Sequence, residues 1–236
     1  PYFIQGGGHG NLGTHAYRVA YEEIIKQEIN KNIKYDYIFL ASGTGTTQAG
    51  LEVGVMENSS HTNIMGISVA RNKIRGTDVI YESLKEYCEF QNIEMKISKK
   101  DIWFDDSYVG QGYADIYSEI TDTIKYVAKK SAIILDPVYT GKAFHGMLTT
   151  INKENIRNKN ILFIHTGGIP LIFTHAEAFE RKLEWMNILL CSAGRRVKIV
   201  QYLKESLNKK GGIVVTADCD SKAPALYFGD KKELIP

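Results

Sequence analysis

The chain has 236 residues, 44% hydrophobic and 24% charged, with 21 Gly and 5 Pro, which is ordinary folded composition and excludes disordered, collagenous and coiled-coil classes. The length allows one large domain or two small ones. With 29 Lys+Arg against 27 Asp+Glu the net charge is +2 and the basic residues are scattered, so no nucleic-acid partner is expected. No apolar run reaches a membrane span and no basic-then-apolar leader opens the chain, so no membrane partner is expected either. Cys88, Cys191 and Cys219 form no CxxC pair and no metal-ligand spacing; a reducing cytoplasm fits best, and no metal is indicated. Asn58-Ser59-Ser60 matches a glycosylation triplet of the kind common by chance.

In chain order, apolar runs with strand character alternate with helical periodicity. Strands are predicted at Tyr2–Ile4, Tyr37–Ala41, Asn63–Ser68, Ile133–Asp136, Ile161–His165, Asn187–Cys191 and Gly212–Ala217. Helices are predicted at Gly13–Asn30, Thr47–Asn58, Gly76–Gln91, Asp115–Lys129 and Arg195–Asn208, with a polar amphipathic helix over Phe173–Trp185. Buried runs such as YIFLAS, ILFIHT and NILLCS between helices predict an α/β fold, a doubly wound and mostly parallel sheet. At Met186 a fresh strand, Gly turn and helix begin, so residues 1–185 and 186–236 are expected to be separate units. Strand-like runs stand at both ends, Tyr2-Phe3-Ile4 and Glu233-Leu234-Ile235, and both units are therefore expected to be partial.

The strongest chemical signal is the strand–loop–helix from Tyr37 to Leu51, whose turn Ser42-Gly43-Thr44-Gly45-Thr46-Thr47 combines two glycines with four hydroxyl residues. Backbone amides at a helix head approach a phosphate closely, hydroxyls add donors, and the helix dipole favours the anion. No Gly-Lys-Ser/Thr follows, so this is not a Walker loop, and the dinucleotide Gly spacing is absent. A second Gly-rich turn, Gln5 to Gly13, offers His9 and Asn11 as polar contacts, or is a plain connection. Asp136-Pro137-Val138-Tyr139 carries Tyr139 to the carboxyl edge of the sheet, where α/β ligands bind; an acid–base role and a packing role are both open. The run Ile164-His165-Thr166-Gly167-Gly168 ends another strand in hydroxyl and glycine. His9, His15, His61, His145, His165 and His175 form no ligand-spaced pairs; His145 and His165 stand nearest these motifs, with structural roles expected.

Taken together, ASGTGTTQAGL, DPVYTGKA and HTGG, in this order and at these separations, resemble the pyridoxal-phosphate enzymes of the D-cysteine desulfhydrase and 1-aminocyclopropane-1-carboxylate deaminase family, within the tryptophan-synthase-β-like fold (fold type II). The resemblance covers about residues 1–175. It implies that Gly43, Thr44, Gly45, Thr46 and Thr47 hold the cofactor phosphate, with Thr46 standing where the commonest pattern has Gly. It implies that Thr166 bonds the pyridine nitrogen, that Tyr139 stands at the substrate side of the ring, and that Tyr113 is the second active-site tyrosine. The Tyr113 match is weaker, because Gln111 and Ala114 replace the usual Pro and Gly. Thr140 stands where the deaminases have Glu, so a lyase removing sulfur or another β-substituent from a small amino acid is favoured. The implied products are a keto acid and ammonia. The family's Schiff-base lysine lies upstream of the phosphate loop in an Asn-Lys-x-Arg-like segment absent here. Lys26, Lys31 and Lys34 read as solvated, and Lys142 does not match the catalytic position. The chain is thus expected to be a portion of the enzyme, inactive alone, and to dimerise as the family does.

From Met186 the run MNILLCSAGRRVKIVQYLKESL, then GGIVVTADCDSKAPALYFGDKKELIP, resembles the opening Rossmann-like subdomain of ATP-grasp ligases related to the carbamoyl-phosphate synthase large chain. Asp218 would end its second strand and APALYFGDK lead to its third. Ser192, Gly194 and Arg195 would touch a ligand, or would form a capping turn with an exposed Arg. The alternative to a lyase portion is a ligase-associated protein whose pyridoxal-phosphate-like domain is a non-catalytic scaffold.

Overall fold

In the computed structural model the described residues are 3, 5–179, 187–208 and 211–235. Tyr2 and Ile4 of the first predicted strand, the junction at Met186 and residues 180–185 of the predicted helix Phe173–Trp185 lie outside them; the described part of that helix is a short α-turn ending at Thr174 and a 3₁₀ turn Ala176–Phe179. The chain divides into two compact units, Pro1–Phe179 and Glu180–Pro236.

The first unit is built on a parallel sheet of β1 (Tyr37–Ser42), β2 (Asn63–Ser68), β3 (Trp103–Asp105) and β4 (Ile161–Ile164), in the order β3-β2-β1-β4. The β1 side chains alternate between faces, as the strand period requires. Ile38 and Leu40 pack with Tyr21, Ile24, Leu51 and Ile64 under α1 (Asn11–Lys31) and α2 (Thr46–Glu57). Phe39 packs the other way, with Met65, Ile67, Ala143 and Met147, against α5 (Thr140–Lys153). Both faces are covered, so the strands read as continuous apolar runs. The remaining helices are α3 (Lys73–Gln91), α4 (Ser118–Ser131) and the short α6 (Leu171–Thr174), followed by a 3₁₀ turn Ala176–Phe179.

Local sequence sets the element ends. The Asn72 side chain accepts from Arg75 N–H at 2.9 Å and starts α3, while Asn32 and Asn92 close α1 and α3 in the left-handed region, a conformation Asn tolerates. Gly50 and Gly54, one turn apart on α2, let α1 approach: a Cβ on Gly50 would meet Thr14 O at 2.4 Å, and one on Gly54 would meet Tyr21 Cβ at 2.4 Å.

One expectation needs correction, and the structure adds two elements. Ile133–Asp136 joins no ladder: Ile133 and Ile134 are 49% and 47% exposed, and the segment's tie to the strand beside it is His165 Nε2 to Ile134 O at 2.9 Å. Apolar β-branched residues extend the chain there, but a strand also needs a partner edge. Strand β3 is an added element; three residues are too few to show a period. Helix α5 is also added, its Gly141, Gly146 and three threonines masking a helix that burial, not propensity, maintains.

The second unit is a three-stranded parallel sheet in the order β5-β6-β7, with β5 Ile188–Leu190, β6 Val214–Asp218 and β7 Lys231–Leu234. Helix α7 (Val197–Asn208) connects β5 to β6, and Val200, Leu207, Val214 and Ala225 form the core. A 3₁₀ turn, Pro224–Tyr227, leads into β7. Among the described residues no helix is long and apolar enough to cross a membrane.

One buried carboxyl couples the first unit's stability to pH. Glu52 on α2 is 8% exposed, and burial first of all pushes its carboxyl up to about 8, opposed by a bond to Gln48. The folded state therefore binds a proton that the unfolded chain releases near the usual carboxylate range of about 4–5. Glu52's stabilising contribution is full below that range and is lost as pH rises through about 8. In urea unfolding, Glu52→Gln should remove a decline in stability between about pH 5 and 8, leaving the variant the more stable protein at pH 8.

Candidate active site

Because all four strands of the first unit run parallel, their carboxyl ends meet along one edge, and β1 and β4 are neighbours there. The turn Gly43–Gly45 leaves β1 and enters α2. The first hydrogen bond at the head of α2 runs from Ala49 N–H to Gly45 O at 2.8 Å, so the preceding amides have no intrahelical acceptor. Gly45 sits at φ +89, and a Cβ there would lie 3.1 Å from Ile80 N. The Thr44 and Thr47 hydroxyls make no hydrogen bond among the described residues, and Ser42 Oγ, although buried, has no partner. Free amides, unspent hydroxyls and a helix head form a cradle suited to a phosphate ester.

The second Gly-rich turn belongs to this cradle. His9 Nδ1 lies 3.0 Å from Thr46 Oγ1. A Cβ on Gly7 would strike Thr44 Cγ2 at 2.8 Å, and one on Gly13 would strike Thr46 Cγ2 at the same distance. Glycine at these two positions lets the turn lie closely on the loop after β1. Arg71, which the sequence reading missed, donates from Nη1 to Gly43 O and braces the loop from the β2–α3 turn. Its only sequence signal is a basic residue just past the carboxyl end of a parallel strand. His9, Thr44, Arg71 and Arg75 line a polar cavity of about 290 Å³ beside the loop, together with Glu82 and Glu86.

Beyond β4, Gly167 and Gly168 adopt φ +97 and +94. Thr166 is exposed, and its hydroxyl makes no hydrogen bond among the described residues. A Cβ on Gly168 would lie 2.7 Å from the Asp136 carboxylate, so the HTGG turn rests directly on the DPVY turn. Asp136 is fully buried. Its carboxylate accepts from Val138 N–H at 2.9 Å, Tyr139 N–H at 2.7 Å, Thr140 N–H at 2.8 Å and the Thr140 hydroxyl at 2.6 Å. This carboxylate caps α5 from four residues upstream and sets Tyr139 at its head. Thr140 is spent inward on Asp136 and places no charge at the edge.

Tyr113 is brought to the same place by the loop between β3 and α4. Its hydroxyl is hydrogen-bonded to that of Tyr139, with ring centroids 6.0 Å apart. That bond first, then burial, pushes the Tyr139 hydroxyl up to about 12. Lys142, on the first turn of α5, is fully buried, and its Nζ donates to Val109 O at 2.7 Å and Gly112 O at 3.3 Å. Lys26, Lys31 and Lys34 are exposed. His145 Nδ1 pairs with Thr123 Oγ1 at 3.0 Å, and the His165 ring is held between Ile134 O and Gly167 N–H, so both histidines serve the framework. In the second unit, Gly194 N–H donates to Asp218 Oδ2 at 2.7 Å. Bonds from the Asp220 and Gly194 amides hold the Asp218 carboxyl below its usual range. Arg195 is exposed.

Ala114, next to Tyr113, occupies φ +60, a left-handed conformation costing a non-glycine residue about 1–2 kcal/mol. Ala114→Gly is expected to raise first-unit stability by roughly 0.5–1 kcal/mol, read as a higher urea midpoint at unchanged slope.

Residues 1–167 match the family described as "Pyridoxal-phosphate dependent enzyme", and residues 188–236 match the "PylC-like, N-terminal domain". A Pyrococcus furiosus protein bearing the provisional name 1-aminocyclopropane-1-carboxylate deaminase is 36% identical over 180 residues, 75% of this chain and 53% of its own. The D-cysteine desulfhydrase of Serratia proteamaculans is 31% identical over 176 residues, 74% of this chain and 52% of its own. The crystal structure of an ACC deaminase homologue superposes with a TM-score of 0.69 at 35% identity, covering 76% of this chain and 53% of that one. The chain spans about half the length of the curated relatives it matches. With the Gly-Thr turn at the head of α2, the HTGG turn and the paired tyrosines on one edge of a parallel sheet, the chain belongs to the pyridoxal-phosphate-dependent enzyme family.

Proposed function

We propose that the first unit is the cofactor-holding part of a pyridoxal-phosphate-dependent lyase of the D-cysteine desulfhydrase type, acting on a small amino acid by β-elimination to a keto acid and ammonia. The observation that carries this reading is the cradle of amides and hydroxyls at the head of α2, one strand away from the Thr166 turn. In this reading Gly43, Thr44, Gly45, Thr46 and Thr47 hold the phosphate, and the Thr166 hydroxyl, a neutral donor, bonds the ring nitrogen. Bound there, pyridoxal phosphate supplies an electron sink for charge developing at the substrate's α-carbon.

The residues of this chain orient the reaction and hold a proton. Tyr139 keeps its hydroxyl proton far above neutral pH, so in this reading the Tyr113–Tyr139 pair stays protonated and steadies a departing β-substituent by donating a hydrogen bond rather than by giving up its proton. Thr140, turned inward on Asp136, leaves the edge without the carboxylate that the resemblance associates with deaminases, which favours a sulfur leaving group. Lys26, Lys31 and Lys34 are exposed and Lys142 is bound to carbonyls, so the reading gives none of them a covalent role. Residues 186–236 form, in the same reading, the start of an ATP-grasp-type unit; a homodimer is expected from the family alone, and a cytoplasmic setting from the three cysteines without pair or metal spacing.

Calorimetric titration with pyridoxine 5′-phosphate and with pyridoxine, neither of which can react with a lysine, tests the phosphate assignment. The phosphate ester should bind at least tenfold more tightly, about 1.4 kcal/mol, and Thr44→Val with Thr47→Val should erase most of the difference. Equal affinities for the two compounds would overturn it.

A further inference from the structure

Among the described residues of the first unit, Lys142 is the one large charged side chain with no exposed surface. Taking an ammonium out of water is costly unless its donors are satisfied. Here they are spent on a single loop: Val109 O at 2.7 Å and Gly112 O at 3.3 Å, with no carboxylate in direct contact among the described residues. That loop is otherwise lightly held. Gly110 and Gly112 adopt φ +73 and +156, conformations open to glycine, and Tyr113 is 59% exposed. Apart from the Tyr113–Tyr139 bond, the loop's other hydrogen bonds are local: Gln111 N–H to the Asp115 carboxylate at 2.8 Å, Asp115 N–H to Gly112 O at 3.2 Å, Val109 N–H to Asp106 O at 3.3 Å and the Tyr117 hydroxyl to Tyr108 O at 3.0 Å. Lys142 also lies three residues after Tyr139, on the helix whose head Asp136 fixes. One side chain therefore joins the element carrying Tyr139 to the loop carrying Tyr113.

We propose that Lys142 is a positioning residue, which clamps the Val109–Gly112 loop onto the first turn of α5 and so holds the Tyr113 hydroxyl on that of Tyr139. The assignment extends the lyase reading, in which the pair touches substrate, but the clamp itself is tested without cofactor or turnover. A structural lysine unrelated to the pair would also stabilise the loop. It would leave the Tyr139 proton unchanged.

The ionisable groups around the pair and the clamp are Asp115 and Asp136, with Tyr108 and Tyr117 on the adjoining loop. Tyr117 serves as an internal reference. Burial pushes it up to about 12, with its hydroxyl on Tyr108 O rather than on the pair. Tyrosine ring carbons labelled with ¹³C, assigned through Tyr113→Phe, Tyr139→Phe and Tyr117→Phe, are followed by NMR from pH 8 to 11. In the unaltered chain both Tyr139 and Tyr117 should remain protonated across this range. In Lys142→Met, Tyr139 should begin to ionise near the ordinary tyrosine value of about 10, while Tyr117 stays protonated. Tyr113→Phe should give the same Tyr139 shift, and the double variant no further shift, since both remove one interaction. Lys142→Gln, which fills the space with a shorter polar group, should behave as Lys142→Met does. An unshifted Tyr139 in a Lys142 variant with Tyr117 intact would overturn the proposal, as would additive shifts in the double variant. Loss of Tyr117 protection in both Lys142 variants would also overturn it, marking Lys142 as a residue needed for folding alone.

Discussion

The buried carboxylate of Asp136 is the constraint on which the rest of the candidate site depends. It accepts three backbone amides and one hydroxyl within four residues of its own position, which starts α5 without a conventional cap. It also lies against Gly168, where any larger residue would collide with it. A charged acceptor satisfied in this way is stable in the interior, whereas each donor left without it would face a desolvation cost of about 1–3 kcal/mol. From this one group follow the place of Tyr139, the inward turn of Thr140 and the seating of the HTGG strand end. Lys142 then relays the position of α5 to the loop of Tyr113.

The turn after β1 is organised on a different principle. No residue from Gly43 to Thr47 is itself charged; the turn's own polarity comes from amides, hydroxyls and the head of α2. What holds its shape is close contact. The Gly6–Gly13 turn lies on it from one side, Arg71 braces the Gly43 carbonyl, and α3 sits under Gly45 at Ile80. A cradle of dipoles already aligned needs little reorganisation to receive an anion, and the glycines are the condition for building it.

Much of this was legible in the sequence, for physical reasons that can be named. YIFLAS and NIMGIS are buried on both faces, so their apolar runs predict β1 and β2 to within a residue. The Gly and Thr density after β1 marks a helix head that must approach something polar. Less legible was whatever depended on partners distant in the chain. Ile133–Asp136 has strand composition but lacks a ladder, and α5 has poor helix propensity but a buried face. The roles of His9 and Arg71 arise only where the β1–α2 turn meets two other turns. Lys142, read in isolation, was a lysine without a match. Its function appears only when the chain folds two carbonyls from thirty residues upstream onto its ammonium.

The central claim is that the turn after β1 is an anion cradle serving a phosphorylated cofactor. It is tested most directly by amide NMR of the ¹⁵N-labelled chain titrated with pyridoxine 5′-phosphate. The account expects the largest shifts at the amides of Gly43, Gly45, Thr46 and Thr47, with smaller ones at Gly7 and His9, all of them saturable and displaced by inorganic phosphate. Shifts confined to the second unit around Gly194, or none at the head of α2, would contradict it.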